Sequence, residues 1–184
     1  EICELTGITD ADVTGAPTAP RVLEELRAFC GGLPVVGQSV GFDLSFLRAA
    51  GLELPGEVHD THDLAAVLLP TNPRLSLAAL TEALDVVNAR PHRALADAEA
   101  TRDVFLRLLD AIAVLPRMLL LDLAHFSARG GWSAQRLFEE AAAASVSAGE
   151  GAAVSTSTPN ISLSRTYAFG ASPAFLEPRD GWRP

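Results

Sequence analysis

Two aspartates and a histidine have the types and settings that metal-assisted phosphodiester hydrolysis would use. Asp43 closes the run Val36-Gly37-Gln38-Ser39-Val40-Gly41-Phe42-Asp43, which continues into Leu44-Ser45-Phe46-Leu47. His92 and Asp97 stand together in Pro91-His92-Arg93-Ala94-Leu95-Ala96-Asp97-Ala98-Glu99-Ala100-Thr101. A carboxylate just beyond an apolar strand lies where open α/β sheets place their sites, although helix N-capping is the commoner duty of such an aspartate. On one continuous helix the step from His92 to Asp97 would turn through about 140°, so the two would not share a face. Pro91 offers another arrangement: the histidine in the loop ahead of the helix and the aspartate one turn inside it, both directed at one cleft. A histidine so placed can take a proton from water near neutrality. A solvated loop histidine beside Arg93 is the plainer reading.

The elements that must position these residues can be read from apolar spacing and from glycine and proline. Thr9-Asp10-Ala11-Asp12 reads as a helix cap or turn, and Pro17 and Pro20 bound a loop. A helix is expected over Arg21 to Cys30, from Val22, Leu23, Leu26 and Phe29, stopped by Gly31-Gly32. Leu33 to Val36 is a short buried strand, the chain turns over Gly37 to Gly41, and Asp43 opens a helix closed by Gly51. A second strand follows at Val58 to Thr61, a helix at Thr61 to Leu69 ended by Pro70, and another at Leu75 to Leu84. Pro91 sets the start of a long helix with the stripe Ala94, Ala98, Thr101, Phe105, Leu108 and Ile112, and Pro116 interrupts it. Met118 to Phe126 and Trp132 to Ala144 are helical, with Gly130-Gly131 between them.

Composition narrows the classes. The 184 residues, 48% hydrophobic and 20% charged, suit a globular domain with one core. Net charge is −9, from 14 basic and 23 acidic residues, which argues against broad sequence-independent duplex binding. An enzyme gripping only a strand end remains compatible. No run approaches the roughly 18 apolar residues of a membrane span, and no signal peptide is visible, so a soluble, cytoplasmic protein is expected. Cys3 and Cys30 read as reduced thiols. His59, Asp60, His62 and Asp63 form a poor zinc set, with no further histidine or cysteine at ligand spacing, and Asp60-Thr61 reads as a capping pair. No GK[ST] follows the glycines, which excludes a triphosphate loop.

Taken together and in order, Val36 to Leu47 and the His92-x4-Asp97 pair resemble the second and third motifs of the DnaQ-like, or DEDDh, 3′-5′ exonucleases. Leu5-Thr6-Gly7-Ile8-Thr9 with Ala16-Pro17 is similar to the stretch that follows the third strand in that family. The resemblance covers residues 1–115 and implies an α/β, RNase H-like fold with helices packed on a small sheet. It implies hydrolysis of nucleic acid, single-stranded DNA in the first instance, from its 3′ end. Asp43 and Asp97 would help hold two Mg²⁺ or Mn²⁺ ions about 3.5 to 4 Å apart, and His92 would be the general base. Gln38-Ser39 stand where the family commonly has His-Asn and, with Phe42, would lie near the substrate strand. Phe42 either packs in the core, the usual fate of an apolar ring, or flanks a terminal base.

The family also carries an Asp-x-Glu pair on its first strand, and no such strand precedes Leu5. With Glu1 in place of an initiator Met, a fragment lacking the first strands is the expectation, inactive by itself. Residues 116–144 then form a helical extension, and 145–184, poor in large apolar groups, a disordered linker and tail in which Phe169, Phe175 and Trp182 could adhere to a partner. Asp60-Thr61-His62-Asp63-Leu64-Ala65 and Leu68-Leu69-Pro70 are similar to the amino-terminal part of DinG-type helicases, which implies a covalently linked helicase. A polymerase proofreading domain is the alternative within the class. Outside it stands a catalytically silent nucleic-acid-binding or docking module.

Overall fold

Glycine and proline set most element ends before any packing occurs. In a computed structural model that describes residues 2–149, the chain begins with α1 (Ile2–Thr6) and α2 (Asp10–Val13). The Asp12 carboxylate accepts from the Thr9 backbone N–H at 2.8 Å and from its hydroxyl at 2.7 Å. α3 (Ala19–Cys30) starts behind Thr18 with Pro20 in its first turn, where a missing N–H costs nothing, and stops at Gly31, whose φ is 51°. β1 (Val35–Gly37), α4 (Gly41–Ala49) and β2 (Val58–Asp60) form a strand, helix, strand unit. The strands run parallel, pairing Val35 with Val58, Val36 with His59 and Gly37 with Asp60.

α5 (Thr61–Leu68) begins at the capping residue Asp60, whose carboxylate accepts from the His62 backbone N–H at 2.9 Å, as expected of the Asp60-Thr61 pair. α6 (Leu77–Ala83) is capped by Ser76, and the long α7 (Ala94–Ala113) follows a loop that contains Pro91. α8 (Arg117–Gly130) starts behind Pro116 and ends at Gly131, in the left-handed region at φ 66°. α9 (Gln135–Gly149) continues past Ala144, because alanine sustains a helix better than the small polar residues that follow suggest. The linker expected from residue 145 is corrected over 145–149, which belong to α9, and the remainder of the expected linker and tail, 150–184, lies outside the described residues.

A two-stranded sheet is marginal by itself, and here α7 supplies what it lacks. α7 packs against β1, α5, α6 and α9, while α8 and α9 pack on each other. The core runs through Leu64, Leu80, Val104, Phe105, Leu108, Leu109 and Ile112 into Leu120, Leu137 and Phe138 without a break. The expected stripe holds at Thr101, Phe105, Leu108 and Ile112, whereas Ala94 and Ala98 are exposed and Ala100, Val104 and Leu109 are buried instead. Ala94 and Ala98 both precede Ala100, the first buried residue of α7. α8 and α9 share this one core, and the Ser133 hydroxyl donates to the Val58 carbonyl of β2. The amino-terminal half is thinner. Neither α3 nor α4 contains a buried residue, and β1 is paired only with β2 among the described residues.

Candidate active site

Asp43 lies in the first turn of α4, exposed, and the capping station of that helix belongs to Val40. The N-cap reading of Asp43 is therefore not realised. Its carboxylate has no side-chain partner among the described residues, and an anion there is favoured by the positive end of the helix dipole. Phe42 is 70% exposed and meets Phe46, 63% exposed, edge to face with ring centroids 4.9 Å apart. The core reading of Phe42 is corrected accordingly: it sits on a face of α4 that no described element covers. Sequence reasoning grouped Phe46 with Leu44, Leu47 and Ala50 as an apolar face of this helix; none of these residues is buried, and the four-residue spacing of Phe46 from Phe42 instead sets the two rings together on one face.

The turn between β1 and α4 is held from the neighbouring strand. Asp60 accepts from the backbone N–H of Ser39 at 2.8 Å through Oδ1 and of Val40 at 2.9 Å through Oδ2. The buried Thr61 hydroxyl lies 2.5 Å from Gln38 Oε1 and 3.2 Å from the Gly37 carbonyl, and Gln38 Nε2 donates to the Leu75 carbonyl at 2.7 Å. Both ends of the Gln38 amide are thus engaged within the protein. Ser39 is exposed and holds a φ of 52°, rare for a residue with a side chain.

His92 sits in the loop ahead of α7, exposed, with a φ of 68°. Asp97 lies one turn inside the helix, half-buried, and its Oδ1 accepts from Asn88 Nδ2 at 2.9 Å. This is the loop-then-helix arrangement that Pro91 allowed. Asn88 was missed; only its local bond, accepting from the Arg90 N–H at 3.3 Å, is a turn that sequence could suggest. Arg93 ties the same loop to the amino-terminal segment, donating to the Thr6 carbonyl at 2.9 Å.

Hard carboxylate oxygens suit Mg²⁺ or Mn²⁺. Among the described residues, however, no three His, Cys, Asp or Glu side chains gather into a group that could hold a metal ion. Asp43, His92 and Asp97 by themselves do not make a complete two-ion site. At the second histidine-rich segment, burial pushes the His59 imidazole below its ordinary value of 6.5, Glu57 and Glu140 opposing the shift, and the ring stacks on Phe105 at 5.9 Å. His62 is 3.3 Å from Asp63 at the surface.

Residues 1–105 match the sequence profile of the exonuclease family RNase_T. The chain belongs to that family, as a DnaQ-like, RNase H-like domain. It is 35% identical over 129 residues to the 3′-5′ exonuclease DinG of Bacillus subtilis, an alignment covering 67% of this chain and 14% of that protein. It is 38% identical over 112 residues to the PolC-type DNA polymerase III of Halalkalibacterium halodurans, covering 58% of this chain and 8% of the polymerase. A PolC-type DNA polymerase III of Streptococcus thermophilus is 40% identical over 103 residues, 53% of this chain and 7% of that protein. The chain thus spans well under a fifth of the length of these relatives. Among the described residues no helix is long and apolar enough to cross a membrane.

Proposed function

We propose that this chain is the greater part of a metal-dependent 3′-5′ exonuclease domain that removes nucleotides from single-stranded DNA within a larger DNA-processing protein. The observation that carries the reading is the arrangement of His92 and Asp97 across the start of α7, exposed base and half-buried carboxylate, in a chain whose residues 1–105 match the exonuclease family. His92 would take the proton from the water that attacks the terminal phosphodiester, and the 3′ nucleotide would leave with its phosphate. Asp43 and Asp97 would supply part of the ligands for the two divalent ions, which activate the water and stabilise the leaving oxygen when bound. Phe42 and Ser39 would face the substrate strand, the ring offering a surface for an unstacked base, with Gln38 bracing them from behind.

The remaining ligands would come from an Asp-x-Glu strand outside these residues. The edge of β1 and the faces of α3 and α4 that are left open among the described residues, with Val22, Phe42 and Phe46 exposed, support that reading. The similarity to DinG supports a linked helicase acting in repair or replication; the similarity to PolC-type polymerases supports proofreading as the alternative context. A silent nucleic-acid-binding or docking module is favoured instead by the incomplete ligand set.

The test is digestion of a 5′-labelled single strand by the full-length protein in Mg²⁺, read as a ladder shortening from the 3′ end. His92→Ala is expected to cut the rate about 100-fold or more, the ordinary scale of general-base loss. Asp97→Ala and Asp43→Ala are expected to abolish it, and the 184-residue chain alone to digest little. Undiminished digestion by either the His92 or the Asp97 variant would overturn the assigned roles. An inactive wild-type protein that still binds the strand would select the silent module.

A further inference from the structure

We infer that Asp60 is a positioning residue: from the end of β2 it brackets the β1 to α4 turn and so fixes where α4 presents Asp43. The inference rests on the exonuclease reading of Asp43. One carboxylate serves two elements. Oδ1 accepts from His62 N–H, starting α5, and from Ser39 N–H, while Oδ2 accepts from the N–H of Val40, the N-cap of α4. Asp60 can do this because its strand partner is Gly37, the last residue of β1, so the carboxylate emerges beside the turn.

An ordinary helix cap would need only the bond to His62. The additional pair joins residues 20 and 21 positions apart and meets a backbone in the left-handed region at Ser39, a conformation that persists only where the surroundings over-determine it. Thr61 reinforces the bracket through Gln38. Gly37 closes it, since a Cβ there would stand 2.5 Å from Val40 Cβ and Cγ2. No such turn is required for two short parallel strands to pair. What the bracket orders is the first turn of α4, and the polar side chain that this turn displays is Asp43.

Asp60→Asn separates the two duties. Asparagine caps helices as well as aspartate does, so with its Oδ1 kept on the His62 and Ser39 N–H groups α5 keeps its start, but the amide Nδ2 then confronts the Val40 N–H in place of an oxygen. In the 184-residue chain, amide exchange at Ser39 and Val40 is expected to quicken about tenfold or more while exchange in α7 stays unchanged, marking a local opening. In the full-length protein, kcat for 3′ digestion is expected to fall roughly 10- to 100-fold, the scale of a small misplacement of a reacting group, with KM within about threefold. Ser145→Ala, which removes a side-chain hydrogen bond within α9, away from the turn, is expected to leave both readouts unchanged.

Unchanged exchange at Ser39 and Val40 in Asp60→Asn would overturn the bracket itself. Faster exchange with unaltered kcat would overturn its role in placing Asp43. A wild-type protein that does not digest DNA would refute the exonuclease reading and with it the consequence for catalysis, leaving the bracket to be decided by exchange alone.

Discussion

Replacing Gly37 by alanine should unseat the β1 to α4 turn by crowding alone. The added Cβ would stand 2.5 Å from both Cβ and Cγ2 of Val40, against about 3.5 to 4.0 Å for ordinary carbon contact, so about 1 Å must be found. Rotation of Val40 can move Cγ2. It cannot move Cβ, and the Val40 backbone is held by Asp60 at 2.9 Å with the side chain buried. Overpacking of this kind costs about 1 to 3 kcal/mol, and a clash with an atom fixed to the backbone belongs in the upper half of that range. At about 2 to 4 °C per kcal/mol for a chain of this size, the expected loss in melting temperature is about 4 to 12 °C. Calorimetry, or Trp132 fluorescence in urea, measures it. Val40→Gly removes both crowded atoms, so the double variant should be less destabilised than the sum of the singles by about 1 kcal/mol or more. A Gly37→Ala protein melting within about 1 °C of the parent, or strict additivity in that cycle, would refute the crowding argument.

Other outcomes follow from the core. His59 is buried against Phe105 and burial pushes its imidazole below 6.5, so the unfolded chain binds the proton more readily than the fold does. Stability should be complete above pH 6.5 and decline as pH falls below it towards the depressed folded value; urea midpoints across pH 7.5 to 5 should show this, with His59→Phe flattening the change. A parent protein with a flat midpoint over that range would contradict the buried neutral ring. Leu108→Ala opens a cavity in the fully buried centre of α7 and is expected to cost about 2 to 5 kcal/mol by urea unfolding. A loss under about 1 kcal/mol there would mean that α7 is not the centre of the core.

Much of this architecture was legible because its signals are local. Gly31 stopping α3, Pro116 starting α8, Gly131 ending it and Asp60 capping α5 each act within a turn or two of chain, and the spacing of Thr101, Phe105, Leu108 and Ile112 needs only a helix to bury one face. Residue types in order were enough to place His92 in a loop and Asp97 on a helix, and to bring residues 1–105 into the exonuclease family.

Tertiary structure alone decided the rest, because those interactions join residues far apart in the chain. The Asp60 bonds to Ser39 and Val40 depend on the register that sets Gly37 against Asp60, and a slip of one residue would carry the carboxylate to the other face. Asn88 reaches Asp97 only after the loop folds back on α7. Phe42 illustrates the limit in the opposite sense: an apolar ring predicts burial, but burial requires a covering element, and none of the described elements lies over that face of α4. Sequence order named the chemistry that Asp43, His92 and Asp97 could serve; strand register and helix packing determined which side chains hold them and which faces stay open, since position across a fold is a property of contacts and not of composition.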